Sequence, residues 1–333
     1  MDPDVPQTST DRDESVPPKP LVRTPAGYQA PGHFGSPELV LLAILSLVWG
    51  AAYVLIRQGL LLGASPLPFA AVRYALAAGA FAAIAIVAKS PLPSRRELWI
   101  SASVGGVVII GLYGGLLYWG EQYTTGGYAA VLASTAPLLT VAFGFLILRA
   151  ERLSSRGLLG MVVGFAGTAV LVVPQLIGTS IGSPEGPIFI LAAMACAAGG
   201  TVLLRRIGGG PQGLWQIGAQ FGVAAGMLGA GSFLLPVPRS LPLSVDLWAI
   251  LAGLVIFSSV IGYFAYFALH HRLGPVRANL VAYLVPLAGL ALGTGLLAEP
   301  VTGWELAGVA IVLAGVTLVL WDSNRAPVRA RTS

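Results

Sequence analysis

Apolar residues along this chain fall in long unbroken runs, not in the alternating or amphipathic stripes of a water-soluble fold. Ten runs approach or reach the roughly 20 residues that carry a helix across the hydrocarbon core of a bilayer. They cover 38–59, 66–88, 98–119, 126–148, 156–175, 186–204, 214–235, 247–269, 276–297 and 303–321. Hydrocarbon offers the backbone no hydrogen bonds, so each run must satisfy its own as a helix. Short connections rich in Pro, Gly or charge separate the runs, such as SPLP (65–68), KSPLPSRRE (89–97) and PVPRSLPLS (236–244). No soluble domain fits between them. The pattern predicts an all-α integral membrane protein of ten transmembrane helices.

The two ends follow a different pattern. Residues 1–36 are rich in Pro, Asp, Ser and Thr and lack apolar periodicity. Such a segment buries too little surface to offset ordering entropy, so a disordered, solvated tail is expected. Acidic Asp2 and Asp4 precede any apolar stretch, unlike the basic opening of a signal peptide. Residues 322–333 form a short tail with Arg325, Arg329 and Arg331.

Two stretches of the chain resemble each other. Residues 129–168 read AAVLASTAPLLTVAFGFLILRAERLSSRGLLGMVVGFAGT, and 278–316 read ANLVAYLVPLAGLALGTGLLAEPVTGWELAGVAIVLAGV. An offset of 149 matches Pro137 to Pro286 and Gly144 to Gly293. An offset of 148 then matches Glu151 to Glu299 and Gly160 to Gly308. The chain divides into a first repeat at 37–176 and a second at 185–321, five spans each. Five is odd, so the copies enter the membrane from opposite sides. Inverted repeats around a central cavity are the architecture of many secondary transporters, in which the copies exchange conformations about a midplane site.

Charge supports this arrangement. The Lys and Arg residues gather in alternate connections: Arg12, Lys19 and Arg23; Lys89, Arg95 and Arg96; Arg149, Arg152 and Arg156; Arg205 and Arg206; Arg272 and Arg277; and the three C-terminal arginines. Sixteen of 19 basic residues thus lie on one side, which the positive-inside rule makes the cytoplasm, with both termini there. The intervening connections hold only Arg239, and Arg57 and Arg73 lie within or at the edge of spans. Hydrophobic residues make up 56% and charged residues 10%, with mean hydropathy +0.80, which excludes an ordinary soluble enzyme. The net charge of +5 is no nucleic-acid signal, because the arginines form no basic face. One cysteine, Cys196, excludes an intrachain disulfide, and three histidines make no metal cluster.

Several side chains inside the spans carry chemistry. Asn279, Tyr283 and Pro286 share one face of span nine, and Ala130, Ser134 and Pro137 are the matching face of span four. Pro137 and Pro286 each remove a ladder bond and are expected to break their helices. The two faces read either as opposite walls of one pocket or as helix-to-helix contacts. Span one carries Trp49, Tyr53 and Arg57 at successive i+4 steps; the aromatics stack on a ligand or pack on neighbours, and Arg57 snorkels to the interface. Arg73 lies about two turns into span two, where a cation is costly; it is functional, or snorkels, or bonds a backbone carbonyl. Span three holds Tyr113, Tyr118, Trp119 and Glu121, and span eight holds Tyr263, Tyr266 and His270. Glu121 and His270 are repeat equivalents that face water or titrate and couple protons to transport. Gly208-Gly209-Gly210 lacks the Lys-Ser/Thr of a phosphate loop, so no nucleotide site is read and no cofactor is expected.

Taken together, these features resemble an EamA-type member of the drug/metabolite transporter superfamily over 40–321. The marks are WGAAYVLIRQGL from Trp49, Ser65-Pro66 before Arg73 in SPLPFAAVRYALAA, the Pro-containing fourth and ninth spans that each lead to a glutamate, and GVAIVLAGV in span ten. Arg149-Ala150 before Glu151 and Pro300 after Glu299 depart from the pattern. The resemblance implies a ten-helix basket with a central cavity in the plasma membrane. It implies export or exchange of small metabolites, among them amino acids, toxic analogues and drugs. A small-molecule substrate, the lipid bilayer and coupling to a proton or an exchanged substrate are the expected partners, in a monomer or homodimer. An intramembrane enzyme or a channel is the alternative; neither a nucleophile–base pair nor a filter motif is evident.

Overall fold

In a computed structural model, residues 36–148, 155–176, 183–207, 213–278 and 281–323 are described. They form ten helices. The first repeat holds α1 (Ser36–Leu61), α2 (Pro66–Val87), α3 (Arg95–Gly120), α4 in two pieces (Gly126–Ala133 and Ala136–Leu148) and α5 (Ser155–Leu176). The second holds α6 (Glu185–Arg206), α7 (Leu214–Leu234), α8 (Val245–Gly253, Leu254–Ile261 and Gly262–Ala278), α9 (Val281–Leu297) and α10 (Gly303–Ser323). The span from α1 to α4, and α6 to α8, are long and apolar enough to cross a membrane; α5, α9 and α10 carry shorter apolar stretches. Large apolar side chains such as Val87, Phe145, Phe233 and Leu306 lie uncovered on the outside of the bundle, the surface a lipid solvent requires.

Local signals set the helix starts. Ser94 and Glu97 form a capping box at α3, each satisfying the other's backbone donor. Thr125 and Ser244 cap α4 and α8 through their hydroxyls. Pro66 occupies the first turn of α2, where its missing N–H costs nothing. Gly63, at φ 92, turns α1 into α2. Two bonds then tie the α1–α2 loop to the second repeat: Ser65 N–H donates to the Ser240 carbonyl at 2.7 Å, and Ser240 N–H to Ser65 Oγ at 2.9 Å.

The largest helix–helix contacts all join one repeat to the other: α5 with α10, α2 with α7, α1 with α9, α3 with α7, α4 with α9, and α6 with α3 and α4. Together with the smaller contacts of α8 with α1 and α2, the set maps onto itself when the repeats are exchanged, so the bundle is two inverted five-helix units interlocked around its axis. Small residues permit the close approaches. A Cβ on Gly315 would meet the Gly164 backbone, and one on Gly50 would lie 2.8 Å from the Ala288 Cβ and the Gly289 nitrogen. Gly226, of the four-residue glycine spacing in α7, has nothing within 4 Å and plays no such role.

The symmetry extends to an irregularity. Ser101–Leu112 in α3 and Leu254–Ile261 in α8 are π-helical. The Tyr113 N–H reaches back to the Val108 carbonyl and Gly262 N–H to Phe257, each five residues away. Both stretches end at positions related by the 149 offset. Wide turns of this kind recur at functional sites because they re-aim side chains.

One sequence expectation needs correction. Pro286 lies inside a continuous α9 and does not break it. It comes in the second turn, where only the bond to the Ala282 carbonyl is given up. The apolar part of span eight ends at Leu269, where hydropathy bounds it, and the helix runs on through Ala278, with Arg272 pairing with Glu38 of α1 at 3.3 Å. Pro137 lies in the first turn of the second piece of α4. α4 breaks at Ser134–Thr135, whose hydroxyls donate to the Val131 and Leu132 carbonyls at 2.6 and 2.8 Å.

Candidate functional site

The α1, α2, α3 and α8 helices enclose a polar, ring-lined region toward the end of the bundle where α1 runs into α2. Arg73 lies at its centre and is buried. Its Nη1 donates to the Tyr118 hydroxyl and its Nη2 to Ser258 Oγ, both at 3.0 Å; Nε–H has no partner among the described residues. The guanidinium carbon stands 5.5 Å from the centre of the Tyr74 ring. Ser258 and its buried neighbour Ser259, whose hydroxyl has no partner among the described residues, belong to the π-helical stretch of α8. Arg73 is therefore held by neutral hydroxyls from both repeats, neither snorkelling nor bonded to a backbone carbonyl.

Rings pack around this cation. Tyr118 meets Phe69 edge-on at 5.2 Å, Tyr74 meets Phe221 at 5.6 Å, and Phe221 meets Tyr263 at 5.5 Å. Tyr53 and Tyr113 interact through their hydroxyls, and both feel Arg73. Tyr113 and Tyr263 are only half-buried. Both lie near enough to the interior Arg73 to feel its charge.

Glu121 follows Tyr118 by one turn. It has no exposed surface, and neither carboxylate oxygen has a hydrogen-bond partner among the described residues. The expectation of a water-facing end is therefore wrong for Glu121: the connection to α4 folds over it. Arg57, half-buried near the end of α1, bonds the same connection. Its Nη1 donates to the backbone carbonyls of Glu121 and Gln122 at 2.8 and 3.1 Å, fixing the α3 terminus to α1.

A second carboxylate closes this end. Glu299 accepts from Gly126 N–H through Oε1 and from Gly127 N–H through Oε2, both at 2.8 Å, across the start of α4. Ala298, at φ 51, holds the backbone in the left-handed region that aims Glu299 at these donors. The glycines are required: a Cβ on Gly126 would stand 2.9 Å from the Tyr53 carbonyl oxygen and Val54 Cα.

The other sequence candidates are distributed as follows. Trp49 donates its indole N–H to the Ser258 carbonyl at 3.3 Å and lies 5.4 Å from the Tyr266 ring. Ser134 spends its hydroxyl proton on its own helix. Ala130 packs directly onto Gly289, so at this level α4 and α9 touch. Asn279 and the side chains of Tyr283 and His270 lie outside the described residues. The structure thus brings Tyr53, Arg73, Tyr113, Glu121 and Tyr263 together, with Trp49 beside them and Ser134 apart. Sequence reasoning missed Tyr74, Ser258 and Glu299 as site residues. The Ser258-Ser259 pair, polar in an otherwise apolar span, is the signal for one of them.

Comparison with known proteins fits this arrangement. The EamA-like transporter family matches residues 36–173 and 185–321, one match per repeat. The uncharacterized inner membrane transporter YedA of Escherichia coli K12 is 30% identical over 284 residues, 83% of this chain and 88% of that protein. A "Probable amino-acid metabolite efflux pump" of Salmonella typhimurium is 28% identical over 289 residues, 84% of this chain and 92% of that one. Protein PecM of Dickeya dadantii is 28% identical over 82% of this chain and 88% of its own. A crystal structure at 19% identity superposes with a TM-score of 0.59 over 87% of this chain and 99% of the other, which shows a shared fold.

Proposed function

Because the chain belongs to the EamA-like transporter family, we propose that it is a secondary active exporter of small organic metabolites that works by alternating access. The observation that carries this reading is the Arg73 chamber. A cation buried in the bundle is held by Tyr118 of one repeat and Ser258 of the other. A site shared between inverted repeats changes its access when one repeat moves against the other. The substrate class is amino acids, related metabolites or drugs, in keeping with the efflux named for the Salmonella relative.

In this reading Tyr53, Tyr113 and Tyr263 line the substrate site, with Asn279 and Tyr283 completing it and Trp49 bracing it. Both termini are cytoplasmic, with repeats at 37–176 and 185–321, so the Glu299 latch is at the outer face. Coupling is to a proton or to an exchanged substrate.

The test is untargeted mass spectrometry of medium and cytosol from cells that express the chain, against Tyr283→Ala at equal membrane abundance. A compound that rises outside and falls inside only with the intact chain is the expected result. Movement of that compound inward would overturn export, and a new chemical product would point to an enzyme.

A further inference from the structure

We propose that Arg57 and Arg206 are reciprocal clamps: Arg57 shuts the α1–α2 end of the bundle in this conformation, and Arg206 shuts the opposite end in the alternate one. The inference rests on the transporter reading and assigns residues to its switch of access. The 149 offset that relates the repeats carries Arg57 to Arg206, and Glu121 and Gln122 to His270 and His271. It also carries the start of α1, Ser36, to the start of α6, Glu185, so the two arginines hold the same helix position. Their surroundings differ. Arg57 is half-buried, and its Nη1 holds the carbonyls of Glu121 and Gln122 at 2.8 and 3.1 Å. Arg206 is exposed, and among the described residues no hydrogen bond or ion pair holds it.

The connections beside these arginines differ in the same sense. α3 stops at Gly120, and residues 121–125 turn the chain before α4 starts at Gly126. The equivalent stop in α8 is Leu269, where its apolar stretch ends, yet the helix runs on to Ala278. Arg272, on the run-on part, pairs with Glu38 of α1 at 3.3 Å. One end is thus turned and clamped and the other extended and unclamped, on a single sequence pattern. Inverted repeats exchange conformations when access alternates. In the alternate state α8 ends at Leu269, residues 270–274 make the turn, and Arg206 takes the carbonyls of His270 and His271. The sequence prepares that turn. Pro275 has no N–H, so the His271 carbonyl four residues earlier lacks a helical donor, and proline is where a helix yields most readily. In the first repeat the matching Gly126 N–H goes to Glu299, and Arg57 supplies the bond that the Gln122 carbonyl would otherwise lack. A guanidinium suits the task because it stays charged and one of its nitrogens serves two carbonyls.

The test uses full-length protein purified in detergent, with Ala129→Cys as reporter in a Cys196→Ser background. Ala129 is fully buried in the first turn of α4, so maleimide reaches it when the α1–α2 end opens. Arg57→Ala removes the clamp of the closed form and is expected to raise the labelling rate about tenfold. Arg206→Ala removes the clamp of the open form and is expected to lower it about tenfold. The double variant is expected to return to within about threefold of the unsubstituted rate, because the two shifts oppose each other. Arg206→Lys still offers a cation to the carbonyls and is expected to stay within about threefold as well. General loosening would instead raise the rate in both single variants. An Arg206→Ala rate that is unchanged or raised would overturn the proposal, as would an Arg57→Ala rate that is unchanged or lowered. Arg206 is exposed, so its replacement leaves no buried group unpaired, and its result decides alone should Arg57→Ala aggregate. Liposomes loaded with amino acids, nucleosides, sugars and organic cations separate the two readings. Transport by the intact chain, with labelling indifferent to Arg206, would overturn the clamps and leave the transporter reading standing. Opposite labelling shifts with every compound retained would uphold the clamps and overturn the transporter reading.

Discussion

Removing the Glu299 carboxylate should open the α1–α2 end of the bundle. Glu299 holds the first turn of α4 through two charge-assisted bonds of 2.8 Å to Gly126 and Gly127. Both glycines are buried, so Glu299→Ala leaves two covered donors unmet while the end stays closed. Each such donor costs about 1–3 kcal/mol, and opening lets water satisfy it. Taking about 1.5 kcal/mol for each gives about 3 kcal/mol against the closed form, on the order of a 100-fold shift toward the open one. Ala129, fully buried in that turn, reports the shift as Ala129→Cys in a Cys196→Ser background, by its rate of maleimide labelling. Glu299→Ala should raise the rate by up to about 100-fold, and Glu299→Gln, whose amide oxygen still accepts, by less. Gly293→Ala should act in the same direction, because a Cβ there would collide with the Glu299 carboxylate. Equal rates in all four proteins would refute the latch.

Gly289→Val should lower the thermal midpoint and the monodisperse yield of the purified protein, because its Cβ would collide with Ala130; overpacking of this kind costs about 1–3 kcal/mol. Tyr128→Phe removes a hydroxyl that donates to the Leu171 carbonyl at 2.6 Å and should cost about 1 kcal/mol of stability, with transport of the surviving protein unchanged. Asn279→Ala and Tyr283→Phe should each lower transport at unchanged membrane abundance; full transport in both would remove α9 from the substrate site. Single-cysteine labelling of intact cells should leave position 95 and both termini protected and modify positions 180 and 300; labelling of 180 only after permeabilisation would reverse the orientation.

The bundle was legible because the bilayer leaves few choices. Long apolar runs must be helices, and one five-span duplication fixes two opposed units. The bounds of α1 to α7, α9 and α10 lie close to those read from hydropathy for that reason. The α8 helix runs on past its apolar stretch, through Gly274-Pro275 to Ala278, which hydropathy alone does not show. The site was legible only in part. Arg73 announced itself as a cation deep in an apolar run. Its partners did not, because Tyr118 and Ser258 come from helices 45 and 185 residues away, and no periodicity within one span shows which faces meet. Glu121 resembled a helix end in water because its neighbours in sequence, Gln122 and Thr124-Thr125, are polar. Its burial follows from the α3–α4 connection, which Arg57 and Glu299 fasten down from both repeats.

Efflux from proteoliposomes tests the central claim most directly. Vesicles loaded with amino acids, nucleosides, sugars and organic cations would be compared by mass spectrometry, with equal amounts of the intact chain or of Arg73→Met. A subset of compounds leaving at a saturable rate, faster when the same compound is present outside, and not leaving with Arg73→Met, is the result that alternating access through the Arg73 chamber predicts. Retention of every compound, or a leak that rises in proportion to concentration and is indifferent to Arg73, would contradict it.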